Sequence, residues 1–561
     1  MYKSMDGDDL AYHQAKKARN CCCRHVVTIL VCFGLFFVIG GIVCAVTNVF
    51  EDWVKDEIRD GVKLKEGNEV YDKWRDPENP TYLTYYMFNV TNPDNVSKGG
   101  IPIVHQCGPY TYRLVPNITV IGRNKYASSS ITYLSQKHHI FERKLSCKNC
   151  DPSRDFITNA NIPFMTTVEM VVKYIKLKDP KSLSYALRVL DQVFVKLDLQ
   201  DFHTHAVHEL LWGYKDDKLN EAHGILTRLV KSRDPTFNID LPTTFALQEN
   251  KSLNMYTIDS GVDDVDNVGE YLLWNKHPNI TCWNDKYANM MNGSGGLHYK
   301  PFLSKDDTIY ALVTPVYRSF TLIYDSTVEY RGIHLYRFAL TPEQFVSGDV
   351  DGNNKGFCPK GKKCPPSGIM DLTHCDPSHA PVVASLPHFY MGNKSLLRTV
   401  KGLHPQKYVH GTFLDIEPHT GLTMRGHRRM QINAKLRKIE GITAFQNTSK
   451  VYLPVFYGDK HAHISEEDAD DFKHDVLLPL RFSQAAPFAL LGLGSILLLV
   501  AGVISFRRHH RRYNTCNLLK HPRPPHTFSA KYFKEPGKKD GTSDERLPLV
   551  LSSGNSFSEY T

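Results

Sequence analysis

The run VVTILVCFGLFFVIGGIVCAV at residues 26–46 carries no charge and is mostly Val, Ile, Leu, Phe, Gly and Cys. A second run, AAPFALLGLGSILLLVAGVISF at 485–506, is equally uncharged and dense in Leu. Each is long enough to cross a hydrocarbon core as a helix, which takes about 20 apolar residues. The first run does not read as a cleaved leader. The region before it is long, the apolar stretch exceeds an ordinary leader core, and bulky residues follow Cys44, Ala45 and Val46. The second is not a buried core helix, because Arg507, Arg508, Arg511 and Arg512 stand directly behind it.

Working outward, the charge ledger sets a topology. The chain has 561 residues and a formal net charge of +9. Residues 1–50 carry net +2, residues 51–484 net +1 and residues 485–561 net +6. The basic excess sits in two short tails, so the positive-inside rule places both termini in the cytosol. The expected organisation is a cytosolic tail (1–25), a span (26–48), a large loop (49–484), a second span (485–506) and a cytosolic tail (507–561). The basic balance then reports membrane topology and not a nucleic-acid partner. The composition, 42% hydrophobic and 23% charged, excludes a wholly disordered chain, a collagen and a polytopic transporter.

Two residue classes agree with a loop facing away from the cytosol. Glycosylation sequons begin at Asn89, Asn95, Asn117, Asn250, Asn279, Asn292, Asn393 and Asn447, all between the spans. Seven of the 13 cysteines also lie there: Cys107, Cys147, Cys150, Cys282, Cys358, Cys364 and Cys375. In an oxidising compartment these are expected in disulfides. Cys358 and Cys364 bracket a Pro/Gly/Lys loop and read as a local pair. Cys147 and Cys150 have the spacing of a zinc half-site or a redox motif, but no second such pair accompanies them, so a structural disulfide is the better reading. An odd count leaves at least one thiol free or pairing between chains. On the cytosolic edge of the first span, Cys21, Cys22 and Cys23 are candidates for palmitoylation, since an acyl chain there enters the adjacent leaflet.

Within the loop, YLTYYMFNVT at 82–91, YTYRLV at 110–115 and IHLYRF at 333–338 are aromatic and β-branched, as strands are. Gly108-Pro109, Asn292-Gly293 and Gly295-Gly296 read as turns. Residues 51–66 read as a helix leaving the membrane. Residues 162–198 break the β pattern. Leu183, Leu187, Leu190, Phe194 and Leu197 form one helical stripe, and Asp179-Pro180 divides two helices. Lys173, Lys176, Lys178 and Lys181 cluster beside that division.

No catalytic signature appears: no HExxH, GxSxG, Walker loop or GxGxxG. No cofactor is expected. His203, His205, His208 and Glu209 are the nearest approach to a metal cluster, at a spacing that matches no zinc pattern. Twenty of the 26 histidines lie in the loop, so an acidic compartment would make its exposed surface more cationic.

FNVTNP at 88–93, GPYTYR at 108–113, LLWGY at 210–214, LPHF at 386–389 and LDIEPHTG at 414–421 occur in that order between the spans. Together with the hairpin topology, this pattern resembles the class B scavenger receptor family over residues 26–506. The resemblance implies an α+β ectodomain: a large antiparallel β-barrel with an apical helical bundle and a hydrophobic tunnel, anchored by two transmembrane helices. It places residues 162–198 at the apex and turns their lysines toward anionic particles. It also implies that Cys375 pairs with Cys282, because Tyr317 and Ala288 stand where relatives carry cysteine. DERLPLV at 544–550 resembles the acidic dileucine-type sorting signal of the family's lysosomal member, with Glu545, Leu549 and Val550 as its contacts for a clathrin adaptor. Tyr174 replaces a histidine of that member's apical helix, which weakens a carried-over role in transporting a lumenal enzyme.

The expected function is therefore a receptor for lipids, lipoproteins or anionic particles. It would pass lipid through the ectodomain tunnel toward the membrane and reside in lysosomal or late endosomal membrane and plasma membrane. A sorting receptor for lumenal protein cargo is the alternative, and an ectoenzyme is disfavoured.

Overall fold

A computed structural model of the chain describes residues 7–123, 129–178, 181, 183–232, 244–248 and 253–520. It forms two compact units, one from the outer parts of the two apolar helices and one covering Gly41–Ala489. Helix Gly7–Thr47 carries the first apolar run and helix Leu478–Lys520 the second. Stretches His25–Thr47 and Glu466–Arg511 are long and apolar enough to span a membrane. Large apolar side chains such as Phe36 and Leu499 are exposed along them, as a lipid-facing helix requires. The two helices touch at glycine: a Cβ on Gly494 would lie 2.8 Å from the Gly34 carbonyl oxygen. Small residues at such a crossing let backbones approach closely.

The larger unit is built on fifteen strands among the described residues: β1 (Thr81–Val90), β2 (Val104–Arg123), β3 (Ser130–Phe141), β4 (Phe156–Ala160), β5 (Phe202–Ala206), β6 (Asn254–Asp259), β7 (Tyr271–Trp274), β8 (Thr308–Val313), β9 (Arg318–Tyr330), β10 (Ile333–Leu340), β11 (Met370–Asp371), β12 (Val382–Ser385), β13 (Phe413–Ile416), β14 (Thr423–Leu436) and β15 (Val451–His463). The main sheet is antiparallel and runs β7-β6-β3-β2-β1-β15-β14-β13-β10-β9-β8, with β12 and β11 added beside β14. Its two edges nearly meet. Ser294 bridges to Glu270 beside β7 and to Ala311 in β8, so this loop residue closes the seam. The Tyr271 amide donates to the Gly293 carbonyl at 3.0 Å, and the Leu312 amide donates to that of Ser294 at 3.1 Å. Closure of this kind removes free strand edges.

Bulges set the curvature. Gly108-Pro109 is not a turn between strands, as the dipeptide implied. It lies inside the 20-residue strand β2, where Tyr110 pairs with Tyr85 and Cys107 with Met87. Gly108 and Pro109 there face the single Tyr86 of β1, one extra residue on β2, and proline, with no N–H to lose from the ladder, suits the bulge. Pro454 marks a second bulge, between β14 and β15. The Asn159 side-chain amide then donates to the Phe88 and Pro454 carbonyls at 2.6 and 3.0 Å, which ties the small β4–β5 sheet to the barrel.

The expected helical segment is present as Ile162–Lys178 and Leu183–Lys196. Asn161 caps the first, its Oδ1 accepting from the Phe164 amide at 3.1 Å, with Pro163 in the first turn. Leu187, Leu190 and Phe194 are buried, and Phe194 packs edge-on against Phe164 with ring centroids 4.9 Å apart. This stripe belongs to the same apolar cluster as Tyr85, Phe88 and Phe456 of the barrel. Helix Val49–Gly61 packs elsewhere, Val54, Ile58 and Val62 meeting Leu480.

Candidate functional site

The lysines beside the helix division share one exposed region. Lys173, Lys176 and Lys178 are exposed on the last turns of Ile162–Lys178, and Lys181 is exposed just beyond. The opposite side of the same helix buries Val168, Val171 and Val172. Leu177 is 76% exposed among these lysines, and Tyr185 and Val195 are exposed on the next helix. Cationic and apolar groups thus occupy one surface, the composition that suits an anionic amphiphilic particle. The pair of helices is held by polar clamps. Arg437 donates to Glu169 at 2.9 Å, and the Thr443 amide donates to Asp191 at 2.6 Å.

Three disulfides join Cys147 to Cys150, Cys282 to Cys375 and Cys358 to Cys364. Cys107 remains free, half-buried, with burial raising its thiol pKa. Of the sequon asparagines, Asn95, Asn117, Asn279, Asn393 and Asn447 are exposed, whereas Asn89 and Asn292 are half-buried. Asn89 also accepts from the Thr158 amide at 2.8 Å, which binds β1 to β4. Asn250 and the tail residues Glu545, Leu549 and Val550 lie outside the described residues, and for Cys21, Cys22 and Cys23 only the helical backbone is described.

His203 and His205 stand side by side on β5, ring centroids 4.9 Å apart, as alternation along a strand requires. They are not gathered with His208, which is exposed on the following helix. His203 Nδ1 shares a hydrogen bond with the Tyr214 hydroxyl at 3.1 Å, and His205 stacks on that ring at 3.9 Å. Burial holds His203 down at about 3, so it acts as packing in its neutral form.

Burial likewise depresses several other loop histidines, His388 to about 3 and His223, His298 and His410 to about 4. These stay neutral in an acidic vesicle, so the cationic gain expected from twenty histidines is smaller than their number implies. His388 shows why. Its Nδ1 accepts from the His404 amide at 3.0 Å, which leaves the proton on Nε2 to meet Gln106 Oε1 at 2.7 Å. His419 is the counterexample, raised by its hydrogen bond to Glu417 at 2.7 Å.

Sequence reasoning missed two groups. His427, Asp459 and His461 place ligand atoms within 4.8 Å of one another on β14 and β15. Arg429 Nε is 2.9 Å from the same Asp459 oxygen that His427 approaches at 3.0 Å. The carboxylate is already neutralised, and a divalent cation there would have to displace the arginine. The second group, Lys137 of β3, Arg428 of β14 and Lys460 of β15, brings like charges together, and burial lowers all three. Spacing along the chain gives no signal for either, because cross-strand register brings their members together.

Comparison with known proteins agrees with this architecture. The profile of the CD36 family matches residues 32–505, which takes in most of both apolar runs and the whole barrel. Lysosome membrane protein 2 of Rattus norvegicus is 31% identical over 479 residues, 84% of this chain and 93% of the relative. The protein of the same name from Homo sapiens is 29% identical over 536 residues, 94% of this chain and 99% of its own length. Scavenger receptor class B member 1 of Bos taurus is 27% identical over 490 residues, 87% and 91% of the two chains. A nearly closed antiparallel barrel, flanked in sequence by two membrane-competent helices and matched over residues 32–505, places this chain in the CD36 family.

Proposed function

We propose that this protein is a scavenger-type membrane receptor that binds lipids, lipoproteins or anionic particles and passes lipid through its ectodomain toward the bilayer. The observation that carries this is the family match across helices and barrel together, with relatives named as class B scavenger receptors. A receptor role fits a sequence in which no catalytic signature is recognised. The exposed surface of Lys173, Lys176, Lys178, Lys181 and Leu177 is the docking face in this reading. Each phosphate neutralised by an exposed lysine adds modestly, so affinity comes from several acting together. Changing all four lysines to Gln is expected to lower uptake of phosphatidylserine vesicles by about ten-fold, the multivalent loss, while leaving surface expression unchanged. Unaltered uptake defeats the docking face.

In the same reading both termini are cytosolic, and the exposed asparagines of the loop carry N-glycans. Cys21, Cys22 and Cys23 are acylated at the inner leaflet. The tail bearing Glu545, Leu549 and Val550 engages a clathrin adaptor, dividing the protein between cell surface and lysosomal or late endosomal membrane. A second reading, a sorting receptor for a lumenal protein, is favoured by the relatives named lysosome membrane protein 2.

A further inference from the structure

Arg428 on β14 and Lys460 on β15 are cross-strand partners, and Lys137 lies on β3 opposite Pro116. Arg428 interacts electrostatically with Tyr256, Tyr271 and Tyr299. The strands of Tyr256 and Tyr271 stand five and six positions from β14 along the sheet. At about 4.8 Å per strand, that is roughly 24–29 Å around the wall. Such residues meet only across the barrel interior. Lys460 in turn feels both Lys137 and Arg428.

Burial lowers the pKa of all three cations, so protein crowds around each of them. Yet none is dry: Lys137 is exposed, and Arg428 and Lys460 are half-exposed. A side chain that is enclosed and wetted lines an internal space. No carboxylate among the described residues pairs with any of the three or offsets its burial. Burial lowers Lys137 to about 8 and Lys460 well below its ordinary range, and it lowers Arg428 as well. Grouping like charges away from bulk water, unpaired, is unfavourable unless an anion joins them. A guanidinium between two ammonium groups matches a carboxylate or phosphate, which accepts several charge-assisted bonds at once. The phenol rings opposite supply an apolar wall for what is attached to that anion.

We propose that Lys137, Arg428 and Lys460 form an internal site for a carboxylate- or phosphate-type anion carried on the head of an amphiphile. The amphiphile part rests on the lipid-binding reading above, whereas the anion part rests on the cluster itself. The alternative source of the same chemistry is a free inorganic anion.

The test uses the full chain in neutral maltoside detergent, labelled with a photoreactive long-chain fatty acid or with its methyl ester. Peptides of β3, β14 and β15 are expected to take up the acid about ten-fold better than the ester, as a charge-assisted pair implies. K137M/K460M is expected to lose that preference and to keep the ester labelling. Because the removed cations lack partners, the thermal midpoint of the lipid-free variant is expected to hold or rise; a fall would show that they serve the fold and would overturn the site. Should K137M/K460M not fold, K137Q alone, at the most wetted position, is expected to halve the preference or more. Equal labelling by acid and ester in the unaltered chain overturns the anion site and leaves lipid binding standing. Absence of labelling by either probe overturns the lipid-binding reading. Calorimetric binding of inorganic phosphate without any preference for the acid overturns the amphiphile part and keeps a free-anion site.

Discussion

At the scale of single residues, the buried histidines make the fold sensitive to acid. His388 and His410 stack with ring centroids 4.3 Å apart, and each accepts a backbone N–H on Nδ1, from His404 and from Gln406 respectively. Protonating either ring loses that acceptor. Their folded pKa values, about 3 and about 4, lie below the unfolded value near 6.5. Between about pH 6.5 and 4 the unfolded chain therefore binds more protons, and stability falls as pH falls through that window. At pH 5 a neutral His388 corresponds to a loss on the order of 2 kcal/mol relative to pH 7. Asp201, raised to about 6 by burial, works in the opposite direction. Thermal melts at pH 7 and pH 5 are expected to differ less for His388→Asn, which keeps an acceptor and cannot titrate. An identical slope in the variant would refute this account.

At the scale of elements, the barrel depends on its seam. Gly293 has φ near +81°, and a Cβ there would stand 2.0 Å from the Tyr310 carbonyl oxygen. Substituting Ala combines a left-handed backbone with a backbone clash, at a cost of about 2–4 kcal/mol. Gly293→Ala is expected to lower the denaturation midpoint and to speed amide exchange at Tyr271 and Leu312, whose hydrogen bonds close the seam. Exchange unchanged at those two amides would show that the seam does not depend on this turn. The helical pair is the other element with one decisive side. Phe194→Ala removes the ring that packs edge-on against Phe164, which in turn meets Phe445, and is expected to lower the denaturation midpoint by a core-cavity cost of about 3–5 kcal/mol.

At the scale of the whole molecule, the proposed function assigns the choice of compartment to the two helices and the tails. If both termini are cytosolic, protease applied to sealed vesicles from the cytosolic side removes the tails and spares the loop. Cleavage within residues 49–484 from that side would end the topology. In the tail, Leu549 and Val550 changed together to Ala are expected to raise the surface fraction several-fold by cell-surface biotinylation, the adaptor pocket being left unfilled. Unaltered lysosomal residence would remove the sorting role.

The amino-acid sequence alone determined the two spans, the loop between them and the helical interruption of a β-rich domain. Continuous hydrophobicity and the 3.6-residue stripe of Leu187, Leu190 and Phe194 are local properties, legible along the chain. The family resemblance rested on five short motifs in order, and with it came the barrel and the pairing of Cys282 with Cys375, 93 residues apart. Tertiary structure decided the rest. Gly108-Pro109 reads as a turn in isolation and becomes a bulge only against Tyr85 and Met87. Lys137, Arg428 and Lys460 are ordinary surface cations in a linear text. They become an enclosed, unpaired cluster only when a closed sheet brings strands from opposite walls to face one another, because register and closure depend on partners far away in sequence.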